Sequence, residues 1–384
     1  MMEVQGPVGR SSPVGAAAGA GRGQSSIDIL GLTAPEFLAA AGLVIPTGHK
    51  LSNRLYAPAV RAGHFDPASL GASAANAPLW KQHFHIGLMP VVRLVEEETE
   101  FGLTAKVVLA THDGREIECV LIPMRRGEGC QVEHTLCVSS QVGCRMACSF
   151  CETGRMGLVR HLTAAEIVSQ LVSVAVHCGW RPKNLVFMGM GEALDNADAV
   201  FQAIRVLTDQ RGLHYGFERL TICTAGHADG LQRLAEQGWK RLNLSISLNA
   251  TLDAARDQLM PVNRRTPLAE LQRVLIAYPK RRNFTLGVNY CLMPGLNDTR
   301  ADSQRIAAWC APLGRVLVNL IPYNPGSQPI AVAPEEAQVE EFIGWLRADG
   351  LAVRRRMTKG RTIMAACGQL GKADPRRARP LPVA

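Results

Sequence analysis

"QVGCRMACSFCETG", residues 141–154, places Cys144, Cys148 and Cys151 in one short stretch with no histidine among them. The run just before it, "TLCVSS" (135–140), is apolar and of strand type. The run after it, "TAAEIVSQLVSVAVHCG" (163–179), has helical periodicity. The three thiols therefore belong to the loop that leaves the first strand of an alternating strand–helix pattern.

That pattern continues to the end of the chain. Strand-like runs recur as "NLVFMG", "RLTICT", "RLNLSIS", "TLGVNYCLM" and "RVLVNLIPY". Between and after them come helical stretches: "ADAVFQAIRVLTDQ", "DGLQRLAEQG", "PLAELQRVLIAYP", "TRADSQRIAAWCAPLG" and "PEEAQVEEFIGWLRADG". Strands separated by helices pair in parallel through right-handed crossovers. The fold class expected is α/β, an incompletely closed (β/α)6 barrel with its chemistry at the C-terminal strand ends.

Upstream the pattern differs. From about Ser26 to Leu94 it is mainly helical and loop-like, with "GLTAPEFLAAAGL" an amphipathic helix capped by Thr33. "TAKVVLATHDGREIECVLIP" follows, two β-type runs around Asp113-Gly114, which is a hairpin signal. The expected division is a disordered tail (1–25), a small N-terminal accessory domain with the hairpin (26–130), the barrel core (131–371) and a basic tail (372–384).

Length and composition fit this plan. The 384 residues are 47% hydrophobic, enough for a large core, and no run approaches the roughly 20 apolar residues of a membrane span. The first residues are rich in glycine, alanine and serine and lack the apolar centre of a secretory signal, so a cytoplasmic location is expected. In that compartment the 11 cysteines are expected as metal ligands, reactive groups or small buried hydrophobes rather than disulfides. The net charge of +9 gathers in "PKRRN" (279–283), "RRRMTKGR" (354–361) and "PRRARP" near the C-terminus. Such clusters suit a phosphate-bearing partner, nucleic acid first, with ordinary surface charge as the alternative.

The spacing C-x3-C-x2-C is unlike the paired C-x2-C knuckles of structural zinc sites. A four-cysteine zinc site that recruits Cys137 is the alternative, although that residue lies within the expected strand. Three thiolates suit a four-iron, four-sulfur cluster with one iron left open to a ligand.

At this point the sequence resembles the radical S-adenosylmethionine enzymes, and within them the RlmN/Cfr group of RNA methyltransferases. The matching stretches are "CVSSQVGCRMACSFC", "FMGMGEAL", "SISLNA", "LMPVN", "NLIPYNP" and "AACGQL", in the right order over residues 118 to 371. The resemblance implies one [4Fe-4S] cluster on Cys144, Cys148 and Cys151, with S-adenosyl-L-methionine on its open iron. It implies cofactor contacts from Gly191 and Glu192 in "MGMGE", from Cys223, from Ser247, Leu248 and Asn249, and from Asn324. The chain departs from the family at two of these: Cys223 matches a serine, and Asn249 stands where housekeeping members have histidine.

The same resemblance implies a mechanism. Ring carbons of adenine are electron-poor, so a carbon radical can add where an ionic methyl transfer cannot. Cys367 in "AACGQL" would be methylated first and then lose hydrogen to the cofactor-derived radical. The resulting methylene radical adds to adenine and links protein to RNA. Glu118 in "IECVLIP" matches the base that removes the ring proton. Cys137 matches the thiol that releases the product, forming a transient disulfide that a thiol reductant must open.

Each assignment has an ordinary alternative. A glutamate near a helix start is favoured electrostatically, a cysteine in an apolar run is usually core, and a hairpin glutamate usually faces solvent. The remaining cysteines, Cys119, Cys130, Cys178, Cys291 and Cys310, are assigned no chemistry. The leading expectation is methylation of carbon 2 or carbon 8 of adenosine in 23S ribosomal RNA, with transfer RNA as a second candidate substrate. "TGRMGLVRHLT" and "FMGMGEAL" lie somewhat closer to the carbon-8 branch. The partners implied are RNA, an electron donor and a thiol reductant, with no membrane and a monomeric enzyme. The alternatives are a radical enzyme of different outcome, such as an activase or maturase, and a non-catalytic RNA-binding protein with structural metal.

Overall fold

The computed structural model describes residues 26–100, 102–124, 132–371 and the backbone of 378–379. The tail at 1–25, Cys130 with most of the "MRRGEGCQVEH" connector, and the rest of the basic C-terminal tail lie outside the described residues.

All six expected barrel strands form, as Glu133–Val138, Asn184–Phe187, Leu220–Thr224, Asn243–Ser247, Leu286–Leu292 and Val316–Pro322. They pair in chain order and in parallel, and Ala352–Arg355 adds a seventh parallel strand beyond the last. The expected helices lie between them, at Ala164–His177, Ala197–Thr208, Ala228–Glu236, Leu268–Ala277, Arg300–Cys310 and Glu336–Ala348. Two of these begin with reciprocal capping boxes that the sequence shows directly, Thr163 with Glu166 and Thr299 with Asp302.

The hairpin also forms, as Gly102–Ala110 and Glu116–Met124. Its second strand pairs antiparallel with Glu133–Val138, so hairpin and barrel share one 11-stranded sheet. The stretch read as helical and loop-like up to Leu94 ends instead in a strand, Val91–Thr99, paired antiparallel with Gly102–Ala110. Its run of glutamates disguised it, yet charged side chains suit a strand near a sheet edge.

Before that strand the helical reading holds. Thr33 caps helix Ala34–Val44 with Glu36 reciprocating, and helices Ser52–Ala62 and Asn76–His83 follow. Phe37 meets Tyr56, Trp80 and Phe84 in an aromatic cluster with ring centroids 5.0–6.3 Å apart. Ser169 and Ser173, on the buried face of helix Ala164–His177, hold the linking loop at Gly87 and Met89 with bonds of 2.8–2.9 Å.

The barrel's open side is crossed by the chain after its last strand. Arg356 N–H donates to Leu320 O (2.8 Å), Lys359 Nζ donates to Pro123 O, and Gly360 N–H reaches Glu97 Oε2 (2.6 Å). Residues 356–366 thus run from the far strands back to the hairpin. Among the described residues no helix is long and apolar enough to cross a membrane.

Candidate active site

The loop bearing the three cysteines is more ordered than its sequence suggests. Gln141–Cys144 pairs antiparallel with Gly157–His161, and the short helix Glu152–Arg155 lies between them. Gly143 has φ +75°, and a Cβ there would lie 1.9 Å from Gly157 O, so the hairpin requires glycine. Ser139 anchors the loop's start. Gln170 bonds its N–H and its C=O at 2.8 Å each, while its hydroxyl donates to Glu118 O (2.6 Å) and accepts from Met190 N–H (2.8 Å).

Cys144, Cys148 and Cys151 line one cavity of about 150 Å³ at the C-terminal ends of the strands. Burial pushes the Cys144 thiol up to about 12, and iron coordination would deprotonate it. Among the described residues no three His, Cys, Asp or Glu side chains are gathered tightly enough to chelate a single ion. A four-iron cluster takes each thiolate on a different iron, so it does not need the three thiols to converge on one ion. The donor set and the cavity fit a [4Fe-4S] cluster.

Gly191, Glu192, Cys223, Ser247 and Asn249 line the same cavity. Gly191 has φ +100°, and its close approach is to the cysteine loop: a Cβ would lie 2.6 Å from Gln141 Cβ. Glu192 does what a glutamate at a helix start ordinarily does, accepting from Leu194 N–H (3.1 Å), and it also accepts from Ala225 N–H (2.8 Å). Burial nevertheless pushes its carboxyl up to about 6, the state that an arriving ammonium group would reverse. Asn249 has left-handed backbone (φ 56°), and its Oδ1 accepts from Cys291 N–H (2.9 Å). Leu248 is fully buried and is not among the residues lining this cavity, its carbonyl receiving Arg256 Nε (3.0 Å).

A second cavity, about 400 Å³, runs through the barrel lumen below the first. Cys137, Asn324, Arg354 and Arg356 line it, and Cys223 and Cys367 line both cavities. Asn324 Oδ1 is buried without a hydrogen-bond partner, an acceptor left for a ligand's donor. Cys367 is reached by solvent, and the dense protein around it raises its thiol while Arg356 draws it down.

Glu118 lines neither cavity. The pleat puts it on the same sheet face as Cys137 and Lys106, which are joined through Val120. Its Oε2 accepts from Gly371 N–H (2.9 Å), and Lys106 Nζ lies 3.7 Å from Oε1. Burial raises its carboxyl, and Lys106 opposes that rise. The alternative of a solvated hairpin glutamate does not hold, since Glu118 is only 4% exposed.

The sequence reading missed three residues. Lys106 is fully buried and ties Glu118 to Met364 O (3.1 Å). Arg256 is also fully buried and gathers the strand-end carbonyls of Ala225 (2.6 Å), Ser247 (3.0 Å) and Leu248 (3.0 Å) into the cavity floor. Asn289 lines the upper cavity with Cys223, its Nδ2 buried and unbonded. Asn289 lies mid-strand and Arg256 in a polar helix, so neither has a local signal. Lys106 does interrupt an apolar strand, which is a detectable anomaly. Cys291, given no chemistry, also lines the upper cavity.

Comparison with known proteins agrees with this geometry. The family model described as "Radical SAM superfamily" matches residues 138–304. The "Probable dual-specificity RNA methyltransferase RlmN 1" of Protochlamydia amoebophila is 43% identical over 279 residues, 73% of this chain and 76% of its own length. The "Dual-specificity RNA methyltransferase RlmN" of Anaeromyxobacter is 41% identical over 331 residues, 83% of this chain and 82% of its own. The crystal structure of a radical SAM methyltransferase from Sphaerobacter thermophilus superposes with a TM-score of 0.80 at 32% identity, covering 90% of this chain and 99% of that one. The expected radical SAM α/β fold is therefore the observed one, and the chain belongs to the RlmN family of the radical SAM superfamily.

Proposed function

We propose that this chain methylates a ring carbon of adenosine, carbon 2 or carbon 8, in RNA, with 23S ribosomal RNA the first candidate and transfer RNA the second. The family uses one [4Fe-4S] cluster and S-adenosyl-L-methionine, which when bound supply the methyl group and a hydrogen-abstracting radical. Cys144, Cys148 and Cys151 would hold the cluster. Gly191, Glu192, Cys223, Ser247, Asn249 and Asn324 would hold the cofactor, with Leu248 buried behind them.

One observation carries the reading: Cys367 faces both the cysteine-lined cavity and the lumen that contains Cys137. A methyl carrier needs access to the cofactor for loading and to a second thiol for release, and this position supplies both. Glu118, on the same sheet face as Cys137, takes the ring proton, and Lys106 beside it favours the ionised carboxyl against the effect of burial. An electron donor for the cluster and a thiol reductant for the Cys137–Cys367 disulfide complete the cycle.

Arg354, Arg355 and Arg356 all line the lumen, and Arg354 and Arg356 suit the RNA backbone. Arg355 is different, because it bonds Glu340 (3.0 Å) and Glu336 on helix Glu336–Ala348 and so anchors the seventh strand.

The two cysteines should fail in opposite ways. Cys137→Ala can still load and add to RNA, so a covalent protein–RNA adduct should build up, seen as a nuclease-sensitive shift on a denaturing gel. Cys367→Ala should give no adduct and no methylation. An adduct in Cys367→Ala, or release at the wild-type rate by Cys137→Ala with Cys223 also changed to serine, refutes these roles. Mass spectrometry of nucleosides from the methylated RNA separates carbon 2 from carbon 8.

A further inference from the structure

Besides the three cluster cysteines, four thiols among the described residues border the two cavities, Cys137, Cys223, Cys291 and Cys367, and the proposed cycle uses two. Cys223 is held on the third barrel strand, where Cys223 pairs with Ser245 and Thr221 with Val186, itself the partner of Cys137. Side chains alternate along a strand, so Cys137, Thr221 and Cys223 share the barrel's inner face. Cys223 stands two residues nearer the C-terminal ends than the level of Cys137, roughly 7 Å closer to the cluster side. Cys223 and Cys367 border both cavities, whereas Cys137 borders only the lumen.

We propose that Cys223 is a second resolving thiol, able to pair with Cys367 and release methylated RNA when Cys137 does not. This rests on the reading of Cys367 as the methyl carrier. The Cys223 thiolate attacks Cys367 Sγ, and the bond from Sγ to the RNA-linked methylene breaks. The electron pair of that bond passes to the methylene carbon, which takes up a proton and becomes the methyl group. The Cys223–Cys367 disulfide is left, and two electrons from a dithiol reductant restore both thiols.

Two features favour thiolate chemistry at this position. Asn289 lines the upper cavity with Cys223, its Nδ2 is buried and unbonded, and its side chain favours the Cys223 anion. The guanidinium of Arg356 favours the anion at both Cys223 and Cys367. Cys291 is the competing thiol, but it borders the upper cavity alone.

Cluster-loaded protein, exposed anaerobically to oxidised glutathione and mapped by non-reducing peptide mass spectrometry, tests this directly. Wild type and Cys223→Ser should show the Cys137–Cys367 disulfide. Cys137→Ser should show Cys223–Cys367, and the double variant should leave Cys367 free or joined to glutathione. With RNA present, the Cys137→Ser/Cys223→Ser double variant should hold more covalent adduct than Cys137→Ser alone. Failure of Cys137→Ser to form Cys223–Cys367, or pairing of Cys367 with Cys291 instead, overturns the proposal while leaving the main reading intact. Absence of Cys137–Cys367 from both wild type and Cys223→Ser overturns the two together.

Discussion

Glu118 holds its carboxylate between the Lys106 ammonium, 3.7 Å away, and the N–H of Gly371. Both side chains of the ion pair are at most 6% exposed, so removing one partner leaves a buried charge. Lys106→Met should destabilise the protein by about 3 kcal/mol at neutral pH, measured by chemical denaturation. It should also shift the pH–activity profile. Lys106 opposes the burial that raises the Glu118 carboxyl, so its loss raises that carboxyl further and a larger share is protonated at neutral pH. A base must be ionised to take a proton, so the rising limb of the methylation rate should move to higher pH. A profile that falls in amplitude without moving would assign Lys106 to packing alone. Glu118→Gln keeps the shape but cannot accept the proton, and activity should be lost at every pH while the fold persists.

At the scale of elements, Arg160 on the strand after the cysteine loop joins three parts of the fold. It donates to Asp113 in the hairpin turn (2.7 and 2.9 Å) and to Glu166 in the first turn of helix Ala164–His177 (2.7 and 2.9 Å). Burial alone would raise the Glu166 carboxyl, but Arg160, the Thr163 N–H and His112 outweigh it and hold it below its ordinary 4.5. A depressed carboxyl contributes stability that is present above its unfolded value and lost as pH falls through its folded value. The thermal midpoint should therefore fall as pH drops below about 4.5, more steeply in wild type than in Arg160→Met. At neutral pH the same substitution should cost about 2 kcal/mol, because charged hydrogen bonds are lost. Equal acid sensitivity in the two proteins would place the relevant carboxylates elsewhere.

For the whole molecule, the net charge of +9 matters where it is unpaired beside the lumen. The three basic stretches read from the sequence are not equivalent. "PKRRN" precedes strand Leu286–Leu292 and so lies at the N-terminal strand ends, opposite the cysteine loop. Lys280 and Arg281 there are bonded to backbone carbonyls of Leu313 and Arg241. Arg355 borders the reaction space but is held by Glu336 and Glu340; Arg354 and Arg356 border it as well. If they contact RNA phosphates, the slope of log affinity against log salt should fall by about 1 for each one changed to glutamine. Arg355→Gln should leave that slope nearly unchanged and lower stability instead. Equal salt slopes for wild type and Arg354→Gln/Arg356→Gln would place the RNA on another face.

The barrel strands, their intervening helices and the cysteine loop were legible because each rests on local physics. Period-two and period-3.6 patterns, capping boxes at Thr33 and Thr163, the Asp113-Gly114 turn and thiol spacing are written within a few residues. Strand Val91–Thr99 was missed because its glutamates outweigh its pattern, and strand Ala352–Arg355 because its arginines read as a charge cluster. Tertiary structure alone decided where Cys367 stands. Its segment is held by Glu97 at Gly360, by Lys106 at Met364, by Glu152 and Thr153 at Gly368 and Leu370 (2.8 and 2.7 Å), and by Glu118 at Gly371. These partners come from strand Val91–Thr99, the hairpin and the cysteine loop, more than 200 positions away in sequence for every one of the five bonds. Sequence spacing determines which groups can share a helix face, a strand face or a turn. Bringing Cys367, Cys223 and Cys137 to one lumen requires the sheet to curl and the chain to cross its open side, and no local pattern encodes that closure.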